Sequence, residues 1–330
     1  MVAAGTTVSV VLPVYNEAEN LDLLVGRLQE VLERATGGAF EVLLIDDGST
    51  DASPEMLDAL AARDPRYKVI HFSRNFGHQA ALQAGLDAGV GDAVITMDAD
   101  LQDPPEVLAR LIAKWREGYD VVYAIRRRRK DGLLKRAAYA AFYRSLRAVA
   151  EIDVPLDAGD FCLLDRRVAR ALVSLTERGR FLRGLRSWVG FRQVGIEYER
   201  AARHAGAPKY TFRKLVRLAL SGYVGFSTMP LRLATWLGFL AASAGFLIAV
   251  WTALTKIFHV PSPRGWASTM AAILFVGGVQ LVMLGVVGEY IGRVYDEVRR
   301  RPLYIVRSRV GFDEGEATGL SDRVERRGRG

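Results

Sequence analysis

Val8-Ser9-Val10-Val11-Leu12-Pro13-Val14-Tyr15-Asn16-Glu17 is a β-favouring, largely apolar run that ends in a polar tip, and a helical pattern from Ala18 to Glu33 follows it directly. The same unit recurs along the chain. Short apolar runs at Val42 to Ile45, Val69 to Phe72, Ala93 to Met97 and Val121 to Ile125 alternate with helical patterns around Pro54 to Ala62, His78 to Ala88 and Pro105 to Glu117. Strand and helix in alternation predict an α/β domain with a mostly parallel sheet flanked by helices. The element ends agree: Asn16 followed by Glu19 has capping-box spacing, and Pro54 after Ser53 fits a first helical position.

Beyond Ala150 the alternation loosens into a strand-like Phe161 to Leu164, a helix from Arg166 and a loop-rich stretch through Lys209. This reads as the second half of the same domain, so that residues 1–210 fold together. Thr211 to Ser227 carries Arg213, Lys214 and Arg217 near its start and Leu215, Leu218, Tyr223 and Phe226 as apolar contacts. That pattern predicts an interfacial amphipathic helix over 211–229.

Leu231 to Leu254 carries only Arg232, and Ala267 to Gly288 carries no charge. Each exceeds the ~20 apolar residues that cross a bilayer as a helix, which predicts two spans at about 231–254 and 267–290. Arg213, Lys214, Arg217, Arg232, Arg293, Arg299, Arg300 and Arg301 flank the pair, while the loop between has only Lys256 and Arg264. By the positive-inside rule both chain ends and the N-terminal α/β domain face the cytosol, in a multi-pass protein of the cytoplasmic membrane. No secretory signal pattern near Met1 opposes this. Residues 293–330 form a cytoplasmic C-terminal segment whose Gly-rich, mixed-charge tail, Gly311 to Gly330, is expected to be disordered.

Composition narrows the classes further. The chain has 330 residues, half of them hydrophobic, enough for a large core. Its single cysteine, Cys162, excludes an intramolecular disulfide, and four scattered histidines have no metal-ligand spacing. Lys and Arg (45) exceed Asp and Glu (37), and Arg126 to Arg147 concentrates the excess around Tyr139, Phe142 and Tyr143. Such a cluster suits anionic lipid headgroups; the long apolar segments and the lack of a recognition module disfavour nucleic acid. No Gly-x-Gly-x-x-Gly follows the first strand, which disfavours a dinucleotide oxidoreductase.

The chemistry concentrates at strand ends. Asp98-Ala99-Asp100-Leu101-Gln102-Asp103 directly follows the run Ala93 to Met97. Residues two apart in an extended segment project to one side, so Asp98 and Asp100 can address one ligand at the carboxyl edge of the sheet. Two carboxylates and the Gln102 amide oxygen make a hard oxygen site suited to Mg²⁺ or Mn²⁺ bound to a diphosphate. Asp46-Asp47-Gly48-Ser49 and Pro13-Val14-Tyr15-Asn16-Glu17 end two neighbouring runs, and their carboxylates and Tyr15 ring can receive a nucleoside.

Val11-Leu12-Pro13-Val14-Tyr15-Asn16-Glu17, Asp46-Asp47-Gly48-Ser49 and Asp98-Ala99-Asp100-Leu101-Gln102-Asp103-Pro104-Pro105, in this order, resemble glycosyltransferase family two. The nearest subgroup is that of dolichyl-phosphate mannose synthase and the bacterial polyprenyl-phosphate glycosyltransferases. Arg74-Asn75-Phe76-Gly77-His78, Ala158-Gly159-Asp160-Phe161, Arg183-Gly184-Leu185, Gly206-Ala207-Pro208-Lys209-Tyr210 and Gly288-Glu289-Tyr290-Ile291-Gly292-Arg293 extend the match from Val8 to about Val306. Ala207-Pro208 departs from the small hydroxyl residue usual before the lysine.

The resemblance implies a GT-A (Rossmann-like) fold, with Asp98, Asp100 and Gln102 on the metal. It implies Pro13, Tyr15, Asn16, Glu17, Asp46, Asp47, Arg74, Asp98 and Lys209 around the nucleotide sugar. Arg126 with Lys135 or Arg136 would meet the acceptor phosphate, and Asp160 would orient the acceptor or act as a weak base. Asp100 and Asp160 are thus the catalytic pair. The implied reaction moves a sugar, with inversion, from a nucleotide diphosphate, UDP in preference to GDP, to a polyprenyl phosphate. A GDP-mannose-dependent mannose synthase and a catalytically silent nucleotide-sugar binding subunit are the alternatives. Relatives also suggest a homo-oligomer, a tetramer.

Overall fold

The computed structural model describes residues 6–126, 158–177, 180–199, 229–257 and 265–313. They fall into two units, one carrying the sheet with its helices and the C-terminal strand, the other the helices between residues 229 and 299. The basic cluster beyond Arg126, with Lys135 and Arg136, lies outside the described residues. So do the amphipathic segment at 211–227, Lys209 and the tail beyond residue 313.

The first unit is built from β1 (Val8–Val14), α1 (Ala18–Thr36), β2 (Phe40–Asp46), α2 (Ser53–Arg63), β3 (Tyr67–Phe72), α3 (His78–Ala88), β4 (Ala93–Thr96), α4 (Val107–Arg116) and β5 (Val121–Arg126). It continues with β6 (Ala158–Asp165), α5 (Arg166–Ser174), α6 (Leu182–Trp188), β7 (Gln193–Tyr198) and, last, β8 (Val306–Val310). The strands form one sheet in the order β7-β5-β6-β4-β1-β2-β3-β8. The β1–β2, β1–β4, β2–β3 and β5–β7 pairs are parallel, and only β6 and β8 run against their neighbours.

Both faces of the sheet are covered, as its near-continuous apolar strands require. Val8, Val10, Leu12 and Val14 of β1 pack with Leu24 and Leu28 of α1 and Leu108 and Leu111 of α4. Val11, pointing the other way, packs with Ala81, Leu82 and Leu86 of α3 and Val168 and Leu172 of α5. The period of two thus divides one strand between two cores. Gly85 lets α3 approach closely, since a Cβ there would stand 2.0 Å from Val11 Cγ1.

Three expectations change. The capping box is not formed: Asn16 adopts φ 54° and its Oδ1 accepts the Thr50 backbone N–H at 2.8 Å, so it ties two strand tips together instead of capping α1. The stretch read as loop-rich before Lys209 contains α6 and β7, whose polar residues hid their periodicity. The C-terminal segment read as tail from Gly311 is preceded by a strand: β8 pairs antiparallel with β3 along the sheet edge, and Phe312 just beyond it packs against the core.

The second unit holds α7 (Met229–Ile257) and α8 (Trp266–Val298), which contact each other. Phe275–Val298 is long and apolar enough to cross a membrane, and none of it is buried, unlike the core helix of a globular domain. The apolar stretch within α7, Ala234–Ile248, is shorter, so one of the two expected spans meets the length requirement among the described residues. Trp236, Phe246 and Trp251 of α7 and Leu281 and Val282 of α8 are all more than 60% exposed.

Candidate active site

β1, β2 and β4 are neighbours with a common direction, so their carboxyl ends share one edge of the sheet, where open α/β folds bind ligands. β6 runs the opposite way beside β4, with Thr96 opposite Cys162, and therefore begins at this same edge. Asp160 is held there by a hydrogen bond from the Thr96 hydroxyl to its backbone carbonyl. A strand antiparallel to the rest is what brings a residue so distant in sequence to the acidic rim.

Past the end of β4, side chains alternate. Ala99, Leu101 and Asp103 are buried, while Asp98, Asp100 and Gln102 are half-buried. Leu101 takes φ 58°, and the Gln102 backbone N–H donates to Asp100 Oδ1 at 3.1 Å, which curls the segment. Burial, and then the charges of Asp103, Asp100 and Asp160, push the Asp98 carboxyl up; His78 offsets this only in part.

Among the described residues no three His, Cys, Asp or Glu side chains form a closed metal cage. Two carboxylates beside an amide form an open donor set instead. Such a set fits Mg²⁺ or Mn²⁺, which take their remaining ligands from water and substrate phosphates.

Asp160 is 8% exposed and engaged from two helices. Arg183 of α6 donates to it through Nε at 2.9 Å and Nη2 at 3.2 Å, and Gln79 of α3 donates Nε2 at 3.2 Å. His78 Nε2 stands 3.6 Å from Asp160 and 3.5 Å from Asp98, between the two carboxylates. Burial opposes ionisation of Asp160, but the His78 contact and the Arg183 charge outweigh it and hold the carboxyl well below the usual range. The motifs contained His78 and Arg183, but no role was legible for them, because their partner lies 82 and 23 residues away.

The β1 and β2 tips are latched together. Asn16 N–H donates to Ser49 Oγ at 3.1 Å, Glu17 N–H to Ser53 Oγ at 3.1 Å, and Glu17 accepts the Asn20 side-chain amide at 2.7 Å. Tyr15 is 39% exposed beside half-buried Pro13. Asp46 and Asp47 are buried: Asp46 Oδ1 accepts Ser49 N–H at 2.8 Å and Oδ2 contacts His71, while Asp47 accepts the Phe76 and Gly77 N–H groups. Gly48, at φ 70°, is needed because a Cβ would meet the Arg74 carbonyl carbon at 2.6 Å. Exposed Arg74 lies over the Phe76 ring, 4.0 Å from its centroid.

Arg126, at the end of β5, reaches the other flank. Its Nε donates to Tyr198 Oη at 3.2 Å, Nη2 stands 4.0 Å from Asp103 Oδ2, and Tyr198 donates to Asp103. A Cβ on Gly159 would lie 3.2 Å from Arg126 Nη2, so the guanidinium sits against the residue preceding Asp160.

The family model described as glycosyl transferase family 2 matches residues 9–173, and that of the GtrB C-terminal hairpin matches residues 229–294. The chain is 46% identical over 306 residues to the uncharacterized glycosyltransferase YkcC of Bacillus subtilis (strain 168), covering 92% of this chain and 94% of that one. It is 43% identical over 303 residues to the bactoprenol glucosyl transferase of Shigella phage SfX, covering 92% and 99%. The solved mannosyltransferase PcManGT from Pyrobaculum calidifontis, in complex with GDP-Man and Mn2+, aligns at TM-score 0.43 and 18% identity over 84% of this chain and 86% of that one. The chain therefore belongs to glycosyl transferase family 2 and is a glycosyltransferase with a GT-A-like α/β fold.

Proposed function

We propose that this enzyme transfers a sugar from a nucleoside diphosphate, UDP in preference to GDP, to a polyprenyl phosphate, with inversion at the anomeric carbon. The observation that carries the reading is that His78 stands between Asp98, in the segment of Asp100 and Gln102, and the Arg183-paired Asp160 at one sheet edge. The names of relatives such as the bactoprenol glucosyl transferases support the acceptor class.

The Asp98, Asp100 and Gln102 side chains would hold Mg²⁺ or Mn²⁺, which neutralises charge on the departing diphosphate. Pro13, Tyr15, Asn16 and Glu17 border the nucleoside, Asp46 and Asp47 shape its turn, and Arg74 and Lys209 face the donor. Arg126, with Lys135 or Arg136, receives the acceptor phosphate. An oxygen of that phosphate bonds to the anomeric carbon as the bond to the diphosphate oxygen breaks in line. No strong base is required, since a phosphate monoester has a second pKa of about 6 and is largely dianionic at neutral pH. Asp160, pinned as an anion by Arg183 and His78, therefore serves to orient the site.

α7 and α8 are the two arms of a membrane hairpin, supported by the GtrB hairpin match and by their exposed Trp, Phe and Leu side chains. Lipid is the environment in which such an apolar surface is stable. The positive flanks put the sheet domain, both termini and the site on the cytosolic side, within reach of a lipid-borne acceptor. The enzyme self-associates in the membrane as a tetramer.

A donor screen with purified protein, a short polyprenyl phosphate and Mg²⁺ or Mn²⁺ tests the reading. Metal-dependent transfer from a UDP-sugar is expected, with inverted configuration in the product by NMR. Failure of every nucleotide sugar to donate, while the protein still binds one, would leave a silent binding subunit instead.

A further inference from the structure

His71 lies near the end of β3, in register with Asp46 of β2, and is 1% exposed. Both of its ring nitrogens meet carboxylates: Nδ1 stands 2.8 Å from Asp46 Oδ2 and Nε2 2.9 Å from Asp58 Oδ1. A neutral imidazole has one N–H and can donate to one of them only, so two short contacts to carboxylates assign an imidazolium that donates to both. The asymmetry of the ends is informative. Asp46 is wholly buried, whereas the Asp58 side chain on α2 is 51% exposed.

A buried ion pair is weak evidence for stability, because desolvation offsets its attraction and apolar packing would serve as well. This one continues as a chain of hydrogen bonds. Asp46 Oδ1 takes the Ser49 N–H, Ser49 Oγ takes the Asn16 N–H, and Asn16 Oδ1 takes the Thr50 N–H. Gly48, inside the same turn, rests against the backbone of Arg74 and Asn75. Displacement of Asp46 would therefore move the tips of β1 and β2 and the Arg74 link together.

We propose that His71 is a positioning residue of the donor pocket: Asp58, His71 and Asp46 form a strut that sets the β2 turn, and through it Asn16, Tyr15 and Arg74, for the nucleoside diphosphate. This rests on the reading of the β1–β2 rim as the donor site. Asp46, with its carboxylate fully enclosed, acts through the turn and not by touching the nucleotide.

The test uses full-length protein, with UDP and GDP each titrated in Mn²⁺ by calorimetry, beside donor kinetics. His71→Gln, shown by thermal melting to be folded, is expected to weaken binding of the nucleotide that the wild type takes and to raise donor KM, each about tenfold, the equivalent of one charge-assisted hydrogen bond. kcat should stay within about threefold, as for a lost interaction common to ground and transition states. Asp58→Asn should weaken binding about threefold and add nothing on the His71→Gln background, because Asp58 acts only through the imidazole. Unchanged nucleotide affinity in folded His71→Gln overturns the proposal, as does a loss confined to kcat. Should His71→Gln fail to fold, unchanged affinity in Asp58→Asn overturns it equally. A wild type that binds neither nucleotide removes the donor-site reading and the strut's role with it, whereas wild-type binding with unaffected variants removes the strut alone.

Discussion

Two carboxylate pairs end neighbouring strands of this sheet, and the protein treats them oppositely. Asp46 and Asp47, after β2, are buried and supplied with donors from Ser49, His71, Phe76 and Gly77. Asp98 and Asp100, after β4, are half-buried, and Asp98 faces the further carboxylates of Asp103 and Asp160. One pair is enclosed by the fold and builds a turn. The other stays half-exposed at the rim, where a bound cation and diphosphate would meet it, so what separates architecture from chemistry is whether the carboxylates remain open to a ligand.

The largest effect should come from the half-exposed pair. Asp100→Asn is expected to lower transfer about 100- to 1,000-fold, the scale of losing one electrostatic stabiliser, with no loss of thermal stability. Near-normal turnover in the radiolabelled sugar assay would break the contrast. Asp46→Asn should instead cost about 3 kcal/mol of unfolding free energy, because it strands a buried imidazolium, and its effect on turnover should be confined to weaker donor binding. Denaturant melts that leave Asp46→Asn as stable as the wild type would place both pairs in the same class.

Arg183→Met probes the third carboxylate. It should destabilise by about 2 kcal/mol, less than a fully buried pair because Arg183 is 36% exposed. Asp160 is held low by its cations, so the wild-type pH–rate profile should show no limb from it near neutrality. An acid limb near neutral pH that disappears in Asp160→Asn would restore a base role.

The smallest signal is a pH window. Hydrogen bonding to Asp46 raises His71, so its contribution is complete below about pH 6.5 and fades as pH climbs through the raised folded value. For Asp46, burial is outweighed by His71 and Ser49, so its folded value is depressed; its contribution is complete above about pH 3.9 and fades as pH falls through that depressed value. The stability difference between wild type and His71→Gln should therefore be greatest from about pH 4 to 6.5 and shrink on the alkaline side. A difference independent of pH would show that no ion pair is present.

The strands from β1 to β5 were legible because burial on both faces writes them as apolar runs, and the acidic rim because it follows the last residues of one such run. What escaped did so for identifiable reasons. Asn16 kept the composition of a cap while its positive φ turned its side chain toward Thr50. β8 lies on the sheet edge, where Arg307 and Ser308 face solvent and dilute the apolar signal. His71 looked like an ordinary strand residue, since its partners are 25 and 13 positions away. Charge compensation in three dimensions has no period along a chain.

β8 also imposes an order on synthesis. The strands up to Tyr198 emerge roughly a hundred residues before Val306, with both long helices made in between. Until then β3 is an open edge, and Phe72 lacks the Tyr304 ring that stacks on it at 4.9 Å. The catalytic sheet can thus be sealed only after the ribosome has delivered both long helices, so a nascent chain stalled before β8 would carry a sticky margin on an otherwise assembled enzyme.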